Sequence, residues 1–218
     1  MIKAVLFDLD GTLLDRDSTV RLLLRDQYAT FAAHLGHIDC EVFVSRVLVL
    51  DDHGHGQKKA ALYASIVDEF DLPAALAADL LDHFWRRYHT FCRPFADVVP
   101  TLSELGRKGT KLGIVTNGTQ QVQHGAISAL GILNYFEMVL ISEVEGVRKP
   151  DRRIFHKALA RLGVDAGECC HVGDHPVADA TAAKAAGLVA IWKRSSYWSP
   201  LAPDIPTIDT LSEVLSYV

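Results

Sequence analysis

The sequence predicts an α/β protein: a doubly wound parallel-sheet core carrying an inserted all-helical subdomain. Three observations lead there. Short, continuous apolar runs end in polar or glycine-bearing residues, the pattern of strands buried on both faces. Helical stretches alternate with those runs, as parallel sheets require of their crossovers. One long stretch, by contrast, shows helical patterning with no strand signal.

In chain order, the first strand is expected at Ala4 to Phe7, where four apolar residues precede a carboxylate. From Asp17 to Tyr88 the chain reads as consecutive helices. Ser18 is the expected N-cap of a helix over Thr19 to Leu35, followed by Glu41 to Leu50 and Lys58 to Phe70. Ala74 to Tyr88 follows, with Pro73 at a favoured first-turn position. Arg93-Pro94 is the expected return to the core, so residues 1–15 and 94–218 form the core and 16–93 the insert. Further strands are expected at Leu112 to Val115, Met138 to Ile141, Cys169 to Val172 and Leu188 to Trp192. Thr119 to Leu130, Ile154 to Leu162 and Ala180 to Ala186 are the core helices.

Composition narrows the class. The chain has 218 residues, 49% hydrophobic and 22% charged, with a mean hydropathy of +0.14. That is too apolar for disorder. A net charge of −5 argues against a nucleic-acid partner. No apolar run approaches the ~18 residues of a membrane span, and the apolar start is too short for a secretory signal. Four cysteines without a C-x-x-C spacing fit reduced thiols, and a cytoplasmic protein is expected, monomer or homodimer.

Four polar clusters fall at the ends of the expected strands. The first is Asp8-Leu9-Asp10-Gly11-Thr12-Leu13. Two carboxylates this close repel one another unless they share a cation, and magnesium is the hard ion that oxygen ligands select. Gly11 permits a sharp turn. The second is Thr116-Asn117-Gly118, read as strand, loop, helix: Thr116 presents a hydroxyl, and Asn117 opens a run of backbone N–H groups that could nest an anion. In the third, Arg148-Lys149-Pro150-Asp151, Pro150 is expected in the first turn of the following helix. That would put Lys149 at the positive helix end against the dipole, a broken local rule of the kind found at functional sites. The fourth, His171 to Asp179, places Asp174 after an apolar strand as a metal ligand. Asp179 has two readings, site residue or N-cap of Ala180 to Ala186.

Ligands of open α/β sheets lie beyond the carboxyl ends of the strands, so the four clusters converge. Together they resemble the haloacid dehalogenase superfamily of phosphohydrolases, and the match spans nearly the whole chain. Asp8-Leu9-Asp10-Gly11-Thr12-Leu13 is similar to its nucleophile motif, Thr116 to its second, Lys149 to its third, and Gly173-Asp174 with Asp179 to its acidic fourth. The insert resembles the helical cap of the subgroup with phosphoglycolate phosphatases, β-phosphoglucomutases, nucleotidases and dehalogenases.

The resemblance implies a Rossmann-like core and a magnesium-dependent phosphatase of a small phosphorylated metabolite. It implies that Asp8 attacks phosphorus and that Asp10 serves as acid, then base. Thr116, Asn117 and Lys149 would bind the phosphoryl group, and Asp8, the Asp10 carbonyl and Asp174 would bind Mg2+. Dehalogenases of this kind generally lack the aspartate at the Asp10 position, because a halide needs no proton. A sugar-phosphate mutase shares every one of these residues. Ala178 departs from the family, where relatives often carry Asn.

Other features read more simply. His53 and His55 suit a polar connection between helices, Phe84-Trp85 helical-subdomain core, and Lys58-Lys59 and Arg86-Arg87 a solvated surface.

Overall fold

The computed structural model describes residues 1–199 and 204–218. The chain divides into two compact units, one formed by Met1–Asp15 with Pro94–Val218 and the other by Arg16–Arg93.

Among the described residues of the first unit, six strands form one parallel sheet in the order β3-β2-β1-β4-β5-β6. They are β1 (Ala4–Phe7), β2 (Lys111–Thr116), β3 (Met138–Ile141), β4 (Cys169–Gly173), β5 (Val189–Lys193) and β6 (Thr207–Ile208). The first five match the expected runs. β6 was not anticipated, because two residues are too short for a periodic signal.

All four residues of β1 are buried, as a central strand covered on both faces requires. Val5 registers with Leu112 on one side and Cys170 on the other. Helices cover the sheet, and Ile154, Phe155, Ala158 and Leu162 of one of them pack with Leu6, Val115 and Leu140. The chain runs from β1 outward to β3, then returns to add β4 on the opposite side of β1. The sheet therefore reverses its winding between β1 and β4, where doubly wound folds bind ligands.

The second unit holds α1 (Arg16–Thr30), α2 (Ala32–Leu35), α3 (Cys40–Asp51), α4 (Lys59–Glu69) and α5 (Leu76–Phe91). The core unit adds α6 (Val98–Arg107), α7 (Gln120–Ala129), α8 (Ser142–Glu145), α9 (Arg153–Leu162) and α10 (Ala182–Ala185). Among the described residues no helix is long and apolar enough to cross a membrane.

Several local expectations are corrected. Ser18 lies inside α1 rather than capping it, because Arg16 is drawn into the first turn by Asp51, 2.8 Å away. The long first helix breaks at Phe31, whose ψ of 27° is not helical. Pro73 lies outside α5, and its carbonyl accepts from Leu76 N at 2.8 Å in the preceding turn. Lys59 is not solvated: its ammonium and the Arg16 guanidinium both engage Asp51, which is buried. Burial alone would raise the Asp51 carboxyl, but the two cations hold it below its usual range. Phe84 is core as expected, whereas Trp85 is 44% exposed on the neighbouring helix face.

Candidate active site

The register of the sheet assembles the site. Phe7 at the end of β1 pairs with Val172 of β4, and Asp8 N–H donates to the Val172 carbonyl at 2.9 Å. Asp8 and Asp174 thus leave adjacent parallel strands side by side, at the winding reversal. Gly11 has φ 76°, and a β-carbon there would collide with the Asp174 carboxylate, so only glycine lets this loop close on Asp174.

Lys149 occupies the centre of the cluster. It is 3% exposed, and its Nζ donates to Asp8 Oδ1 at 2.5 Å and to Asp179 Oδ1 at 2.6 Å. The expected helix-end placement is corrected: α9 begins at Arg153, and Pro150 sits in the turn before it, after a cis peptide bond. The ion pairs, rather than a helix dipole, set the environment of this lysine. Burial would lower its ammonium, but Asp179 and Asp8 outweigh that and hold it above its usual value.

The N-cap reading of Asp179 is also corrected. His175 caps the π-helical segment Pro176–Thr181, its Nδ1 accepting from Val177 N and Ala178 N at 3.1 Å. Asp179 lies within that segment, 1% exposed, accepting from Lys149, from His175 N at 3.1 Å and facing His171 Nε2 at 3.0 Å. Burial lowers the His171 imidazole against the opposing pull of Asp179, and its Nε2 lies against a carboxylate that can only accept. Burial opposes charge on Asp179 too, but Lys149 and His171 hold its carboxyl well below the usual range.

Asp8 and Asp174 respond differently. Burial, reinforced by Asp179 and Asp174, pushes Asp8 well up despite Lys149, and burial with Asp179 pushes Asp174 up to about 7. Ligand atoms of Asp8, Asp174 and Asp179 lie within 4.8 Å of one another. Asp8 and Asp179 share the Lys149 ammonium with Asp174 beside them, and the oxygens of Asp179 are already committed to donors. That excess of buried negative charge on hard oxygen ligands suits a divalent cation held by Asp8 and Asp174.

Thr116 ends β2 and is 1% exposed. Asn117 spans to the Lys149 backbone, its Nδ2 donating to Lys149 O at 3.0 Å and its Oδ1 accepting from Lys149 N at 2.9 Å. The side chain thereby tethers the lysine loop. The expected anion nest is reduced, because Gly118 N–H donates to Ser142 Oγ at 3.0 Å and Gln120 N–H to Glu143 Oε2 at 2.7 Å. Asp10 accepts from Gln123 Nε2 at 2.8 Å.

Three residues escaped the sequence reading. Lys193 donates to Gly11 O at 3.0 Å from beneath the Asp10–Thr12 loop, with its Nζ 3.7 Å from the Phe95 ring centroid. Trp192 Nε1 donates to Asp174 O at 2.6 Å. Gln123 is buried where an apolar residue belongs, in the series Gln123, Ala126, Ile127, Leu130 on one helical face. A polar residue on that face, and a lysine ending an apolar strand, were the signals available.

The family model described as haloacid dehalogenase-like hydrolase matches residues 2–187. A glyceraldehyde 3-phosphate phosphatase of Methanopyrus kandleri is 33% identical over 100% of this chain and 97% of its own length. A crystal structure of a HAD phosphatase from Thermococcus onnurineus is 31% identical, with a TM-score of 0.68 over 99% of this chain and 97% of its own. A 2-haloacid dehalogenase structure from Pseudomonas syringae is 33% identical, with a TM-score of 0.63 over the same shares.

Proposed function

The chain belongs to the haloacid dehalogenase-like hydrolases, and on that footing we propose that it is a magnesium-dependent phosphomonoester hydrolase working through an aspartyl-phosphate on Asp8. Its substrate is a small phosphorylated metabolite, with glyceraldehyde 3-phosphate the first candidate because relatives matched over 97% of their own length bear that name. Phosphoglycolate, nucleotides and sugar phosphates are the other members of the class. The observation that carries this reading is one buried ammonium, Lys149, bonded to both Asp8 and Asp179 beside Asp174. Four free cysteines accord with a reducing, cytoplasmic setting.

In the first step an Asp8 oxygen attacks phosphorus, and the ester P–O bond breaks with its electron pair leaving on the alcohol oxygen. Asp10, protonated, gives that oxygen its proton. In the second step a water oxygen attacks the aspartyl-phosphate while Asp10 takes the water proton. The phosphorus bond to Asp8 breaks, the carboxylate is restored, and orthophosphate leaves. Splitting one displacement into two lowers each barrier.

Lys149 balances charge on the transferring oxygens, Asp179 with His171 keeps that ammonium in place, and Thr116 donates its hydroxyl. Asp8, Asp174 and the Asp10 carbonyl would hold magnesium, which when bound would neutralise charge at the phosphoryl group and in the carboxylate cluster. Asp10 separates this reading from the dehalogenase one, since a departing halide takes no proton.

The test is a panel of phosphoglycolate, glyceraldehyde 3-phosphate, nucleoside monophosphates, sugar phosphates and 2-chloropropionate, with and without magnesium. Phosphate release that requires magnesium and disappears in Asp8→Asn is the expected result. Chloride release without phosphate release, or full activity of Asp8→Asn, would overturn it.

A further inference from the structure

Gln123 bridges the two groups on which proton transfer and phosphoryl contact would depend. Its Nε2 lies 2.8 Å from Asp10 Oδ2 and 2.6 Å from Thr116 Oγ1, so the two hydrogens of one amide nitrogen serve both. The bridge follows from the local fold. Thr119 caps α7, its Oγ1 accepting from Val122 N, and Gln123 N–H donates to the Thr119 carbonyl in that first turn. Helical side chains lean toward their own N-terminus, which sends Gln123 back over the loop to the end of β2. Gly118 closes against it: a β-carbon there, at φ 152°, would fall 2.7 Å from Gln123 Cγ. The side chain is therefore confined at 3% exposure.

An amide nitrogen only donates, so Asp10 Oδ2 and Thr116 Oγ1 both accept from Gln123 Nε2. Thr116, having accepted from Gln123, keeps its own hydrogen for another oxygen.

We propose that Gln123 is a positioning residue for phosphoryl transfer, holding Asp10 Oδ2 as an acceptor so that Oδ1 carries the shuttled proton, and turning the Thr116 hydroxyl toward the transferring group. This rests on the function proposed above. When Asp8 attacks phosphorus and the ester bond breaks, the departing oxygen takes its proton from Asp10 Oδ1. Water returns a proton to the same oxygen in the second step, while Oδ2 stays bonded to the amide throughout.

A residue that merely supports the fold would slow all substrates alike. Loss of proton delivery instead depends on the leaving group, since p-nitrophenolate departs without a proton and an alkoxide does not. Gln123→Leu should therefore lower kcat/KM for glyceraldehyde 3-phosphate at least about tenfold more than for p-nitrophenyl phosphate, within the range of general-acid effects. In an Asp10→Asn background the same substitution should lose that extra effect. Gln123→Glu, of nearly the same shape but without the amide hydrogens, is measured alongside and should show the same leaving-group dependence, so that a folding loss in the leucine variant does not decide the matter.

Equal losses on the two esters in both variants, or an undiminished effect beside Asp10→Asn, would overturn the proposal. Asp8→Asn separates the two readings. If that variant is inactive and the Gln123 losses are equal, only the positioning role fails. If it retains full activity, the aspartyl-phosphate reading fails first.

Discussion

Lys149 and Asp179 form a fully buried ion pair, Nζ to Oδ1 at 2.6 Å, between a loop after β3 and a helical turn after β4. Removing the Asp179 charge leaves Lys149 with Asp8 alone and replaces the charged acceptor that faces His171 and His175 N with a neutral one. Asp179→Asn should accordingly destabilise the protein by about 3 kcal/mol, measured by urea unfolding. It should also lower kcat at least about tenfold, as Lys149 relaxes wholly onto Asp8.

Asp174, like Asp8, carries pH dependence. Its folded-state pKa, about 7, lies above the ordinary carboxylate value of 3.8. The folded state therefore holds this proton more tightly than the unfolded chain does, and its stabilising effect is complete below about 4 and lost as pH rises through about 7. In metal-free protein at pH 8, Asp174→Asn should raise Tm by at least about 2 °C, read by thermal denaturation in chelator. Added magnesium should stabilise the wild-type chain at pH 8 more than at pH 6, and the Asn variant much less at either pH.

Asn117 tethers the lysine loop through two bonds to the Lys149 backbone. Asn117→Ala deletes both and leaves a peptide group short of partners, at a cost of about 2 kcal/mol in stability. Turnover should fall with it, because a shift of the lysine by a fraction of an ångström weakens every contact it makes to a phosphoryl oxygen. Urea unfolding and steady-state kinetics on one preparation check both.

In the helical unit the buried Asp51 joins Arg16 of α1 to Lys59 of α4. Asp51→Ala leaves two cations facing each other across the gap, so about 3 kcal/mol of stability should be lost. Hydrogen exchange should locate the loss in residues 16–93, with amides of α1 and α4 the most affected.

Much of the fold was legible because burial on both faces leaves a local mark. A run such as Ala4 to Phe7, all apolar and then abruptly acidic, states its own strand and its own end. Helix starts were less legible. Ser18 carries a capping preference worth about 1 kcal/mol, which a tertiary ion pair such as Arg16 to Asp51 overrides. β6 was missed for want of length.

By itself the sequence singled out Asp8, Asp10, Thr116, Lys149 and Asp174 as candidates: Asp8, Thr116 and Asp174 stand where apolar runs end, and parallel strands deliver their carboxyl ends to one edge. Only the tertiary structure decided how those groups are partnered. Lys149 bonds to an aspartate 141 positions away, and Gln123 to one 113 away. Local rules see neighbours within a turn or a strand, and they put Lys149 at a helix end and left Asp179 between a site residue and a cap. Long-range burial settled both through one shared ammonium, because a buried charge must find its counter-charge wherever the fold supplies it.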